Sequence, residues 1–210
     1  MKKINLTIGI ATVLVSIGFS SSQKIQAITY ISANDCSNEN LLPTARRVAL
    51  NVTSRLFENF DTFVQYRFGL SVEKTFDNYL PESTLERNAV VRNALQIACQ
   101  RKGTNIALMF DSLVTRAAQA KNLVIISLVT DGAEDPPSPK GTLERFTKAL
   151  SLNPKVQLVL VAGLLTHEGK PYRMQFETRV ASLGSKLLTV GTQPQELTGA
   201  LERFIQKVQR

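Results

Sequence analysis

A doubly wound, three-layer α/β fold, with a mostly parallel six-stranded sheet and helices on both faces, is what this sequence predicts. Three observations carry that expectation. Two apolar, β-branched runs, at residues 123–129 and 156–165, have the pattern of strands covered on both faces. Strand and helix patterns alternate from residue 28 to the end. One pair of alternating segments, 62–70 and 72–79, turns around Gly69-Leu70-Ser71 and supplies a hairpin.

Residues 28–32 form the first strand. Pro43 suits the first turn of a helix over about 41–59, in which Ala45, Val48, Val52, Leu56 and Phe60 recur at spacings of three and four. In the strand at 62–70, Val64, Tyr66, Phe68 and Leu70 share one face. Pro81-Glu82-Ser83 opens a helix whose stripe is Leu85, Val90, Ala94 and Ala98, and Gly103 stops it. A helix over about 105–120 follows, with Ile106, Met109, Phe110, Leu113 and Ala117 on one face. Asp131-Gly132 and Pro136-Pro137-Ser138-Pro139 make a loop after the strand at 123–129. A helix at 143–152, the strand at 156–165, a helix at 172–183, a short strand at 186–190 and a helix at 196–208 complete the chain. Helices between strands make parallel, right-handed crossovers the default.

The 210 residues suffice for one domain and a short extra segment, and 43% hydrophobic content supports a sizeable core. The first 27 residues have the three parts of a secretion signal. Lys2-Lys3 come first, then a mostly apolar run of 16 residues from Ile4 to Phe19, then a polar stretch ending at Ala27. They read as a signal peptide or, if uncleaved, an N-terminal membrane anchor, and residues 28–210 as the domain. The expected location is therefore exported: periplasmic, extracellular or membrane-anchored, with membrane contact only through that segment. The net charge of +8 does not point to nucleic acid. Removing Lys2, Lys3 and Lys24 from the 25 basic residues leaves 22 against 17 acidic ones, a net of +5. The remaining basic residues are scattered, with no basic run interleaved with aromatics.

Asp35-Cys36-Ser37-Asn38-Glu39 follows the first strand. Acid, hydroxyl and acid stand at every other position, so all three can point one way. Oxygen donors so arranged suit a hard cation, and Thr104 and Asp131 are two later oxygens that would complete the set. In doubly wound sheets ligands sit beyond the carboxyl ends of the strands, where strand order reverses. Asp35 and Asp131 both follow strands, so neighbouring central strands would bring them to one crevice. The set Asp35, Ser37, Glu39, Thr104 and Asp131 suits Mg²⁺ first, with Mn²⁺ or Ca²⁺ as alternatives, and not Zn²⁺, which prefers His and Cys. The blander alternatives are capping by Asp35 and Ser37, an N-cap at Thr104 and a turn acid at Asp131. Glu134 and Asp135 read as solvated loop acids. His167, the one histidine, reads as a surface loop residue, and the sequon Asn51-Val52-Thr53 as chance in mid-helix.

These three segments resemble those of the von Willebrand factor type A domain family. That family has an Asp-x-Ser-x-Ser adhesion-site motif after the first strand, a Gly-Thr loop and a Thr-Asp-Gly segment. This chain has Asp35-Cys36-Ser37-Asn38-Glu39, Gly103-Thr104 and Thr130-Asp131-Gly132 in that order, and the resemblance spans about residues 28–208. It implies a divalent-metal site, most simply Mg²⁺, that recognises an acidic residue presented by a partner protein. Glu39 departs from the pattern by standing where the family has its second Ser. It can ligate the metal, occupy the place meant for the partner's acid, or point to solvent. Cys36 and Cys99, the only two cysteines, form either a disulfide clamping the first two loops, as an oxidising compartment permits, or two buried thiols.

Two other functions use the same residues. A metal-dependent hydrolase would take Glu39 as general base, but no glycine-rich phosphate loop, nucleophile–His pair or basic clamp is present in the sequence, so no enzymatic activity is expected. A scaffold of the same fold with a decayed site would bind partners through other faces.

Overall fold

The computed structural model of the chain describes residues 27–55, 60–81, 83–96, 102–164 and 172–208. Its strands are β1 (Ile28–Asp35), β2 (Phe60–Phe68), β3 (Val72–Tyr79), β4 (Leu123–Val129), β5 (Val156–Ala162) and β6 (Leu187–Thr189). They form one six-stranded sheet in the order β3-β2-β1-β4-β5-β6, parallel throughout except for β3 at one edge. The apolar runs of β4 and β5 lie inside the sheet, as strands covered on both faces must. The three-layer α/β expectation holds.

The helices are α1 (Leu42–Arg55), α2 (Thr84–Leu95), α3 (Ile106–Gln119), α4 (Thr142–Leu152), α5 (Tyr172–Arg179) and α6 (Pro194–Val208). The twofold alternation of strand side chains sends Tyr30, Phe63, Ile125 and Leu160 to one face, against α1, α2 and α6. It sends Ile31, Val64, Ile126 and Val161 to the other, against α3, α4 and α5. A polar contact is sealed into the first layer: the Tyr30 and Ser127 hydroxyls, both fully buried, are 2.7 Å apart on adjacent strands. Tyr30→Phe removes that bond while keeping the ring, and is expected to lower stability by about 1–2 kcal/mol in urea unfolding. An unchanged midpoint would show that Ser127 finds another partner at no cost.

Several boundaries differ from the sequence reading, each for a local reason. β1 continues to Asp35, so the first acid of the site ends a strand instead of lying beyond it. β2 starts at Phe60, which the helical spacing had placed on the α1 stripe. In α2 the buried side is Arg87, Val91, Ala94 and Leu95, while Leu85 is 81% exposed. The stripe is rotated because Arg87 turns inward and donates from Nε to the Pro81 carbonyl at 3.0 Å. Ala98 lies outside the described residues. β5 ends at Ala162 because Gly163 takes a φ of 95° beside the Thr130 carbonyl, where a side chain would not fit. The helix expected at 172–183 ends at Arg179 and gives way to a 3-10 stretch, Ala181–Lys186, broken at Gly184.

Residues 1–26 lie outside the described part, and with them nearly all of the expected signal segment. Among the described residues no helix is long and apolar enough to cross a membrane. His167 also lies outside.

β1 and β4 are adjacent and parallel at the centre, with Asn34 opposite Val129. The chain leaves β1 toward β2 on one side and β4 toward β5 on the other. Their carboxyl ends therefore flank the crevice where strand order reverses.

Candidate metal centre

Asp35 is the last residue of β1 and is 1% exposed. Its Oδ1 accepts the Ser37 backbone N–H at 2.9 Å and the Ser37 hydroxyl at 2.6 Å, a local turn that folds Ser37 back over the carboxylate. Its Oδ2 accepts the Thr130 hydroxyl at 2.9 Å from the loop after β4. Burial pushes the Asp35 carboxyl above the usual carboxylate range. The bonds from Ser37 and Thr130 pull it back, and the charge of Asp131 pushes it up again. An anion in that position is favoured by a cation.

Thr104 arrives from the second loop. Its hydroxyl is 2.6 Å from the Ser37 hydroxyl and 3.5 Å from Asp35 Oδ1. It does not cap α3; Asn105 does, its side chain accepting the Leu108 N–H at 2.9 Å. Thr104 is held by its backbone, with N–H donating to the Asp135 carbonyl at 2.8 Å and C=O accepting the Asp135 N–H at 3.0 Å.

Asp131 is half-buried in the third loop. Its Oδ1 accepts the Ala133 N–H at 2.9 Å, the same kind of local turn as at Asp35, and its Oδ2 accepts the Asn38 side-chain amide at 3.3 Å. Asp35, Ser37, Thr104 and Asp131 thus belong to one cluster. Glu39 stands apart from it: it is exposed, in the first turn of a short 3-10 helix, Glu39–Leu41, and among the described residues no hydrogen bond joins it to the other four.

Cys36, between Asp35 and Ser37, is buried and disulfide-bonded. Cys99, its expected partner, lies outside the described residues. The Cys36 N–H donates to the Phe68 carbonyl at 2.8 Å, which ties the first loop to the end of β2.

Two residues that the sequence left without a role complete the site. Thr130 orients Asp35 and also accepts the Gly132 N–H at 3.2 Å; Asn38 links Asp131 to the first loop. Their types are common in turns, and only the adjacency of β1 and β4 gives them partners.

Glu134 corrects an expectation. Its side chain is 4% exposed, not solvated, and it pairs with Arg179 of α5 at 2.6 Å. It also accepts the Ser138 hydroxyl at 2.7 Å and the Ala107 N–H at 3.1 Å, in the first turn of α3, where a carboxylate is favoured. Burial alone would raise its pKa, but the bonds from Arg179, Ser138 and Ala107 hold it below the usual range. Ionised Glu134 therefore stabilises the fold above the unfolded-state pKa, and that contribution is lost as pH falls through the lower folded-state value. Glu134→Gln is expected to flatten the decline of the thermal midpoint below about pH 4.5, measured against wild type. Parallel acid limbs for the two proteins would count against this assignment. Asp135 is exposed, as expected of a loop acid.

Among the described residues no three His, Cys, Asp or Glu side chains gather as a metal-ligating group. What gathers is two carboxylates with two hydroxyls, an all-oxygen set of the kind that hard divalent cations take. The Ser37 hydroxyl at 2.6 Å from the buried Asp35 carboxylate, with the Thr104 hydroxyl 2.6 Å from that of Ser37, fits that demand.

No family model matches the chain, and no curated protein matches it in sequence. Solved structures match its fold. The PilB minor pilin from Streptococcus sanguinis aligns with a TM-score of 0.66 at 13% identity, over 89% of this chain and 62% of that one. A von Willebrand factor type A structure from Catenulispora acidiphila aligns at 0.62 and 15% identity, over 87% and 42%. Proximal thread matrix protein 1 from the mussel byssus, with a zinc-occupied MIDAS motif, aligns at 0.58 and 14% identity, over 87% and 48%. This chain therefore spans less than two thirds of the length of each. At these identities the likeness is one of fold: the chain has the three-layer α/β fold seen in von Willebrand factor type A structures.

Proposed function

We propose that this chain is an exported, non-enzymatic interaction module that holds a divalent cation, Mg²⁺ first, and uses it to bind an acidic residue of a partner protein. The observation that carries the reading is the convergence of Asp35, Ser37, Thr104 and Asp131 from three loops at the carboxyl ends of β1 and β4. The two carboxylates would balance a divalent charge, and the hydroxyls of Ser37 and Thr104 would add neutral oxygens. Four side chains giving one oxygen each fall short of the six ligands that Mg²⁺ takes, so water or an outside carboxylate would fill the rest. The zinc-occupied motif of the mussel protein supports a metal in this fold, and the minor pilin and byssus neighbours suit an exported interaction module.

Glu39 is not assigned to the cation, because its exposed 3-10 position leaves the place for an outside acid open. Glu39→Ala is expected to change Mg²⁺ affinity less than about threefold, as for exposed substitutions away from specific contacts. Calorimetric titration checks this; loss of binding in the variant would make Glu39 a ligand. The reading as a whole is tested by thermal unfolding with Mg²⁺, Mn²⁺ and Ca²⁺, with EDTA as the reversal. No change in midpoint at millimolar metal would reject it in favour of a fold whose site has decayed.

A further inference from the structure

The loops carrying Thr104 and Asp131 meet through the two backbone bonds between Thr104 and Asp135. Beside that bridge one buried carboxylate reaches three parts of the fold. Glu134 contacts Ala107, three residues after Thr104 and at the start of α3; Ser138, in its own loop; and Arg179, at the end of α5. Arg179 is also 3.4 Å from Glu144 in α4. None of these residues belongs to the candidate ligand set.

The geometry points to Glu134 and Arg179 as a positioning latch, through which the seating of α5 fixes the spacing between Thr104 and Asp131. A charge-assisted bond of 2.6 Å onto a buried carboxylate is strong and directional. Removing the guanidinium leaves Glu134 to hold the loop and α3 without its cation. The consequence for metal affinity rests on the proposed function; the consequence for loop geometry does not. Coupling between sites is reciprocal, so a cation at Asp35 and Asp131 also tightens α5.

Amide hydrogen exchange by NMR on the full chain, first without metal, tests the latch. Arg179→Met is expected to speed exchange at Thr104, Ala107 and Asp135 about tenfold while β4 amides keep their wild-type rates, and Arg179→Lys to recover part of the protection. Glu134→Gln, which keeps an acceptor for Ala107 and Ser138 but no charge, is expected to give the same local pattern and serves if Arg179→Met folds poorly. Wild-type exchange at those three amides in both variants overturns the latch. A uniform rise that includes β4 also overturns it, because that is global destabilisation. In the second arm, Mn²⁺ is titrated by calorimetry: Kd is expected to rise about tenfold in Arg179→Met, and Mn²⁺ to slow exchange in α5 of wild type but not of the variant. Absence of Mn²⁺ binding to wild type would defeat the metal reading alone, and the metal-free exchange rates would still decide the latch.

Discussion

Saturating Mg²⁺ or Mn²⁺ is expected to raise the midpoint of thermal unfolding by about 5–10 °C, and Asp131→Ala to abolish the rise. A ligand at 100 times its Kd stabilises the folded state by about 2.7 kcal/mol, and in a domain of this size each kcal/mol moves the midpoint by roughly 2–4 °C. Asp131 is the informative residue to remove. It is half-buried, it accepts one local turn bond from Ala133, and among the described residues its other hydrogen-bond partner is the Asn38 amide at 3.3 Å. Its loss should leave the metal-free fold within about 1 kcal/mol of wild type while deleting one of the two charges that would hold the proposed cation. Asp35→Asn provides the complementary case. Burial holds the Asp35 carboxyl above its ordinary range, so its ionisation works against the metal-free fold as pH rises through the folded-state value. The neutral amide is therefore expected to fold at least as stably without metal at neutral pH, and to show no metal shift. A full shift in either variant would remove these carboxylates from the cation.

The sequence made the sheet legible because burial on both faces leaves short, continuous, β-branched apolar runs bounded by turn residues. β3 and β4 have the bounds the pattern implied, and the site acids fall at the ends of the strands that the fold class requires. The losses have physical causes of two kinds. Short-range pattern failed in two helices: Arg87 turns a charged group inward and rotates the α2 stripe, and α5 stops at Arg179, four residues short of its expected end, giving way to a 3-10 stretch. Long-range partners failed more completely. Nothing within 40 residues of Glu134 announces Arg179, and no local signal gives Thr130 or Asn38 an acid to hold; those pairings exist only once the strand order is known. Asp35, Ser37, Thr104 and Asp131 could be named because they end strands or loops of a recurring architecture, whereas the residues that aim them could not.

Gly103→Ala is expected to cost about 2–4 kcal/mol, more than Gly141→Ala, which should cost about 1 kcal/mol. Both glycines have left-handed φ angles, 66° and 81°, so both substitutions incur the backbone term of a side chain in that region. They differ in what a methyl group would meet. At Gly141 there is nothing within 4 Å; at Gly103 the Asp135 carbonyl oxygen stands at 2.5 Å and Leu70 Cδ2 at 2.7 Å. Leu70 is half-exposed and can move aside, but the carbonyl is the acceptor for the Thr104 N–H at 2.8 Å and cannot move without breaking the bridge between the two loops. The Thr104 hydroxyl would then leave Ser37, 2.6 Å away, so the same substitution should weaken metal binding as well as the fold. Gly141 lies at the start of α4, away from the ligand set, and its variant should keep full metal affinity. Chemical denaturation of the two variants, followed by metal titration of each under native conditions, separates the terms. Equal costs and equal affinities would mean that the close approach of Gly103 to Asp135 does not constrain the site, and that Thr104 is placed by something other than the bridge.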